Sequence, residues 1–156
     1  INAEYGDMNR SKDLFQKYSK NNQMSIQQLF DLLQYTGYNI NDTYELSVLE
    51  ILKMLNVVDF LSEPQFIHIF YIITQANHKD LASILFYISD SDQAGTIDSY
   101  DFYLILKYLQ LDVSEEDAAE LMSQKLINYK QYMFLIKEIR DLYRLQFQKI
   151  VQNNQK

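Results

Sequence analysis

The chain has no cysteine and no tryptophan, and only 1 proline and 3 glycines in 156 residues. Without cysteine there is no disulfide framework, no thiolate zinc site and no Cys nucleophile. Just 2 histidines, His68 and His78, leave little for a His-based metal site. So few Gly and Pro starve the chain of turn residues for an all-β fold, and long helices with short connections follow. No apolar run is long enough to cross a bilayer, since the longest, residues 66–73, is interrupted by His68. Basic charge is also short. A formal net charge of −7 argues against nucleic acid or an anionic membrane as partner and suits a basic amphipathic helix. No basic, Ser-rich or signal-like N-terminus is visible; Ile1 is not an initiator Met, so the expectation is that something upstream was removed or is not included in this sequence.

What is present is apolar residue at helical spacing. Hydrophobic residues make up 47%, enough for a core and too many for a disordered chain. Four stretches share one pattern: Met24-Ser25-Ile26-Gln27-Gln28-Leu29, Leu61-Ser62-Glu63-Pro64-Gln65-Phe66, Ile97-Asp98-Ser99-Tyr100-Asp101-Phe102 and Ile127-Asn128-Tyr129-Lys130-Gln131-Tyr132. Each has an apolar residue, a capping residue, a Gln or Asp three positions on, then a large apolar residue. The cap accepts from an orphan amide and the Gln or Asp reaches back, so each stretch opens a helix. Pro64 falls in a first helical turn, where its missing N–H costs little. Apolar pairs return behind each start: Leu32 and Leu33, Ile69 and Phe70, Ile105 and Leu106, Leu135 and Ile136.

A further helical stretch precedes each start. Leu14, Phe15 and Tyr18 mark one, residues 45–55 another, Leu81, Ile84, Leu85 and Ile88 a third, and residues 115–122 the fourth. Asp42 with Glu45, and Ser114 with Asp117, read as capping pairs, and Gly37 as the end of the second helix. The unit is helix–loop–helix, four times over. The predicted organisation is all-α: an N-terminal lobe over 10–73, a link at 74–79, a C-terminal lobe over 80–137, a helical extension at 138–151 and a frayed tail at 152–156. The link is expected to expose His78, while His68 reads as a hydrogen-bonded core or interface residue and Tyr71, Tyr87, Tyr103 and Tyr108 as core.

The third repeat carries a readable loop, Asp90-Ser91-Asp92-Gln93-Ala94-Gly95-Thr96-Ile97-Asp98-Ser99-Tyr100-Asp101. It resembles the EF-hand calcium loop, with acids at positions 1, 3 and 9, Thr96 at position 7, Gly at 6 and a hydrophobic residue at 8. A hard cation needs oxygens converging from a tight loop, and Gly95 permits the turn. Two departures weaken it. Ala94 removes a ligand at position 5, and Asp101 stands at 12, where the pattern wants a longer, bidentate Glu. The candidate metal residues are therefore Asp90, Asp92, Thr96, Asp98 and Asp101, for weakly bound calcium or magnesium or for no ion. The second loop places Met54, Asn56, Val58 and Gln65 at ligand positions. The first has Ser19, Lys20, Asn21 and Asn22 and ends on Gln28, and the fourth is cut to residues 123–126. None of these three offers an anionic cage.

The order of the units over residues 10–137 is similar to calmodulin and the myosin light chains, an EF-hand family, here with degenerate metal loops. Penta-EF-hand proteins are the nearest rival, through residues 23–37 and the long final helix, but a clear fifth hand is missing. The resemblance implies two lobes, each with a groove for a partner helix. Carried over by motif, the groove residues are Phe15, Leu32, Leu33, Phe66, Ile69 and Phe70 in the N-terminal lobe. In the C-terminal lobe they are Phe86, Ile105, Leu106, Leu121, Met122, Tyr132, Met133 and Ile136. Past residue 137 the chain outgrows the family, and Ile139, Leu142, Tyr143, Phe147 and Ile150 keep a helical stripe expected to dock on a neighbour, with folding back over its own lobe as the alternative. Met24, Leu61, Ile97 and Ile127 sit at the EF-hand position that pairs across loops, so the resemblance implies two β contacts, Met24 with Leu61 and Ile97 with Ile127. The function implied is a non-catalytic, light-chain-like adaptor holding a partner helix within a larger assembly, largely independent of calcium. The alternative is a calcium or magnesium sensor working through loop 90–101. No nucleophile, Gly-rich phosphate loop or partnered acid accompanies either His, so catalysis is not expected. A cytoplasmic setting, cytoskeletal or ciliary, is the leading expectation from the family likeness, with a mitochondrial assembly as the alternative.

Overall fold

The four sequence starts become four helix N-termini in the computed structural model, which describes residues 3–38 and 40–154, with side chains from residue 9 onward. In chain order the elements are α1 (Ala3–Tyr18), β1 (Met24–Ser25), α2 (Ile26–Tyr35), α3 (Asp42–Met54), β2 (Phe60–Leu61) and α4 (Glu63–Gln75). Then come α5 (Leu81–Ser89), β3 (Thr96–Asp98), α6 (Ser99–Tyr108), α7 (Glu115–Met122), β4 (Leu126–Asn128) and α8 (Tyr129–Asn154). The chain divides into two units, Ile1–Lys79 and Asp80–Lys156.

All but one of the expected caps are made. Ser25 and Ser62 each accept from the N–H three residues on, and Gln28 and Gln65 reach back to the cap amide. Asn128 and Gln131 exchange the same two bonds. Asp98 accepts from the Asp101 N–H at 2.9 Å, and the Asp101 carboxylate takes the Asp98 N–H in return. Ser114 likewise receives the Asp117 N–H. One cap differs from expectation. Asn41, not Asp42, caps α3 by accepting from Tyr44 N–H at 2.8 Å, so Asp42 falls inside the first turn. Asp42 there still complements the positive end of the helix.

In the first unit β1 and β2 form a two-stranded antiparallel ladder with Met24 opposite Leu61. Phe15 of α1 meets Phe66 of α4 with ring centroids 5.7 Å apart, and Phe66 meets Phe70 at 5.4 Å. Leu29, Leu32 and Leu33 of α2 and Val48, Ile51 and Leu52 of α3 close the core. Removing such side chains from water is what holds the unit together, at about 1.5–3 kcal/mol each. The second unit repeats the scheme. β3 pairs antiparallel with β4, Ile97 opposite Ile127, as expected from the repeats. Phe86, Phe102 and Tyr132 form the aromatic centre, with centroids 5.1 Å apart for Phe86–Tyr132 and 6.0 Å for Phe102–Tyr132.

The segment expected as an exposed link is partly tied down. Residues 74 and 75 still belong to α4, and His78 is half-buried. The His78 ring stacks on Tyr44 at 4.6 Å, its Nε2 lies 2.9 Å from the Ile73 carbonyl, and its Nδ1 lies 2.8 Å from Ser47 Oγ. With Nε2–H donating to the carbonyl, Nδ1 of the neutral ring accepts from the Ser47 hydroxyl. Tyr108, expected in the core, is exposed, while Tyr71, Tyr87 and Tyr103 are half-buried. The expected boundary at 137/138 falls inside the packed part of α8, because Ile139 is buried. The helix also continues through Asn154, so residues 152–154, expected to fray, are helical; residues 155–156 of that tail lie outside the described residues.

Candidate functional site

Loop 90–101 is built around one buried carboxylate. Asp90, 1% exposed, accepts from the Ala94 N–H at 3.0 Å through Oδ1 and from the Gly95 N–H at 2.9 Å through Oδ2. Asp92 Oδ1 shares the Ala94 N–H at 3.3 Å. These bonds curl the backbone so that Gln93 and Gly95 take φ of 54° and 81°. Nothing lies within 4 Å of where a Gly95 side chain would start, so the conformation rather than crowding asks for glycine there. Asp98 and Asp101 are engaged in capping α6, and Thr96 is a half-buried strand residue. The Asp101 pKa is raised by loss of solvent and by the charges of Asp98 and Asp92, against the lowering hydrogen bond from the Asp98 backbone.

This donor set offers a divalent cation few ligands. Both Asp90 oxygens bind the loop's own amides, position 5 has no oxygen-bearing side chain, and the two downstream acids serve the helix start. Among the described residues no three acids or histidines converge closely enough to hold an ion.

The seventeen residues expected to bind a partner divide sharply. Phe15, Leu32, Leu33, Phe66, Ile69, Phe70, Phe86, Ile105, Leu106, Met122, Tyr132, Ile136 and Ile139 are buried within their own units. Met133 and Tyr143 are half-buried, and Leu121 and Phe147 are exposed. The apolar stripes thus chiefly build the two cores, and only their edges reach the surface.

One such edge makes a cleft. Between the end of α7 and the start of α8, Leu121, Met122, Ile127, Phe134 and Leu135 line an open space of about 360 Å³, with Lys130 at its side. A neighbouring depression shares Leu121 and is bounded by Asp112, Asp117 and Glu120. Apolar floor and acidic edge therefore lie side by side, which is the pattern a basic amphipathic helix fits. Phe134, 63% exposed, is the main wall residue that sequence reasoning missed. A signal existed, since it sits about 200° around the helix from Tyr132 and so cannot share the buried stripe.

The distal part of α8 is the other exposed apolar feature. Leu142, Leu145, Phe147, Ile150 and Val151 are all substantially exposed. No described helix is long and apolar enough to cross a membrane. No family model matches the chain, and no curated protein matches it either.

Proposed function

We propose that this chain is a non-catalytic adaptor subunit that holds an amphipathic helix of a partner protein, in the manner of a light chain, without needing calcium. The observation that carries the reading is the cleft of Leu121, Met122, Ile127, Phe134 and Leu135 beside the acids Asp112, Asp117 and Glu120. A partner helix would bury its apolar side there and set Lys or Arg against the acidic edge. Calcium independence is supported by loop 90–101, which has no side-chain oxygen at Ala94 and only a short Asp101 in the last ligand position. A non-catalytic role fits the work of His78, which ties the chain after α4 to Ser47, Tyr44 and Ile73. The stripe of Tyr143 and Phe147 would extend the grip beyond the cleft.

The test uses a synthetic twenty-residue Leu/Lys amphipathic helix as probe, titrated into the full chain by calorimetry with calcium and with EGTA. Equal binding in both, weakened about tenfold by Phe134→Ala, is expected for the loss of one well-packed aromatic contact. No binding would overturn the adaptor reading, and binding only with calcium would replace it by an ion sensor.

A further inference from the structure

Beyond its own core, α8 displays a second line of residues, Gln131, Leu135, Glu138, Leu142, Leu145, Lys149 and Gln152, with three leucines among them, set about 110° around the helix from the buried Tyr132, Ile136 and Ile139. Positions 131, 135, 138, 142, 145, 149 and 152 alternate four and three apart, the spacing that keeps one seam along a helix pair. At its centre stand Leu142 and Leu145, 58% and 56% exposed, flanked by an acid, Glu138, and a base, Lys149. We propose that this seam pairs α8 with α8 of a second copy of the chain, antiparallel, about a two-fold axis passing between Tyr143 and Arg144.

The arrangement of charge decides the partner and the direction. Turned end over end, the seam meets itself with Leu142 opposite Leu145 and Glu138 opposite Lys149, and each contact occurs twice. This self-complementarity is what an interface between identical subunits requires. Parallel pairing would instead set Glu138 against Glu138 and Lys149 against Lys149, two repulsions. The stretch from Glu138 to Lys149 spans about 16 Å at 1.5 Å per residue, and most of it lies past the last buried residue, Ile139. The distal end of each helix, near Gln152, comes beside Leu135 of the other copy at the edge of its cleft. The proposal does not rest on helix binding in that cleft.

Sedimentation equilibrium of the full chain tests it. A monomer–dimer equilibrium is expected at micromolar to submillimolar concentration. Leu145→Asp, at an exposed site, should weaken the dimer at least tenfold. Glu138→Lys alone and Lys149→Glu alone should each weaken it about fivefold, and the double exchange should restore it, because only the antiparallel register brings these two together. A chain that stays monomeric to about 0.1 mM overturns the proposal. So does a dimer indifferent to Leu145→Asp, or single charge changes that the double exchange does not rescue. Circular dichroism of the double-exchange chain serves as the control for folding.

Discussion

The Tyr132 hydroxyl donates to the Ala82 carbonyl at 2.6 Å, joining α8 to α5 across fifty residues of chain. Tyr132 is fully buried, and its ring also packs on Phe86 and Phe102, so the bond sits where no water can replace it. Tyr132→Phe should cost about 1–2 kcal/mol, because the carbonyl loses a buried donor while the ring packing remains. Thermal unfolding of both chains measures this. The pH dependence is a second readout. Loss of solvent and then the Asp80 charge raise the Tyr132 pKa above its ordinary 10.0. The unfolded chain therefore releases this proton first, and stability falls as pH rises past 10. In Tyr132→Phe that part of the alkaline loss should vanish.

Helix ends give a second prediction. After α2, Gly37 at φ 96° sends its N–H to Gln34 while the Tyr38 N–H reaches Leu33. After α6 the same pair of bonds runs from Gln110 to Lys107 and from Leu111 to Leu106, but Gln110 holds φ 62° without being glycine. The left-handed region costs a residue with a Cβ roughly 1–2 kcal/mol. Gln110 is exposed, so nothing is lost from the core on replacing it. Gln110→Gly should stabilise the second unit by about 1 kcal/mol, net of glycine's greater freedom when unfolded. Denaturant midpoints decide it, and a destabilised variant would count against this account of the cap.

Much of the fold was legible because its signals are local. Ser25 with Gln28, and Asn128 with Gln131, announce helix starts within four residues, and the apolar residue before each cap marks the ladders Met24–Leu61 and Ile97–Ile127. Asn41 and Asp42 both suit a cap, and only the backbone, which turns helical at Asp42, chooses between them. Less was legible at the candidate site. Periodicity shows that Leu32, Ile69 and Ile105 share helix stripes, but not whether a stripe is covered by its own unit; all three are covered. Phe134 stood outside the stripe and was overlooked, and His78 gave no hint of its three partners because they lie on other elements or after a turn.

Asp101 makes a prediction about mild acid. Its folded pKa lies above the ordinary 3.8, so the folded chain takes up this proton before the unfolded one does. The sign is the reverse of an ion-paired carboxylate: stability decreases as pH rises from 3.8 through the raised value. Asp101→Asn keeps an oxygen for the Asp98 N–H and removes the repulsion from Asp98 and Asp92. The variant should melt higher than the parent at neutral pH, with the difference shrinking toward pH 4. A difference that grows on acidification would show that the carboxylate is favoured as an anion.

The last prediction restores what loop 90–101 lacks. Its backbone already has the required bends, with Gly95 at φ 81° and the Asp90 carboxylate drawn inward by two amides. What it lacks is oxygen at Ala94 and reach at Asp101. Ala94→Asp would add a ligand directly beside Asp92, and Asp101→Glu would lengthen the last carboxylate by one methylene, enough to bind through both oxygens. The double variant, titrated with calcium by calorimetry, should bind at least tenfold more tightly than the parent, in which no submicromolar site is expected. Without calcium it should be less stable than the parent, since two more anionic oxygens then crowd Asp98 and Asp92 with no cation between them. Calcium should reverse that loss, raising the melting temperature in proportion to the logarithm of its concentration once the site saturates. A double variant that still ignores calcium would mean that the loop's shape serves the turn between α5 and α6 alone.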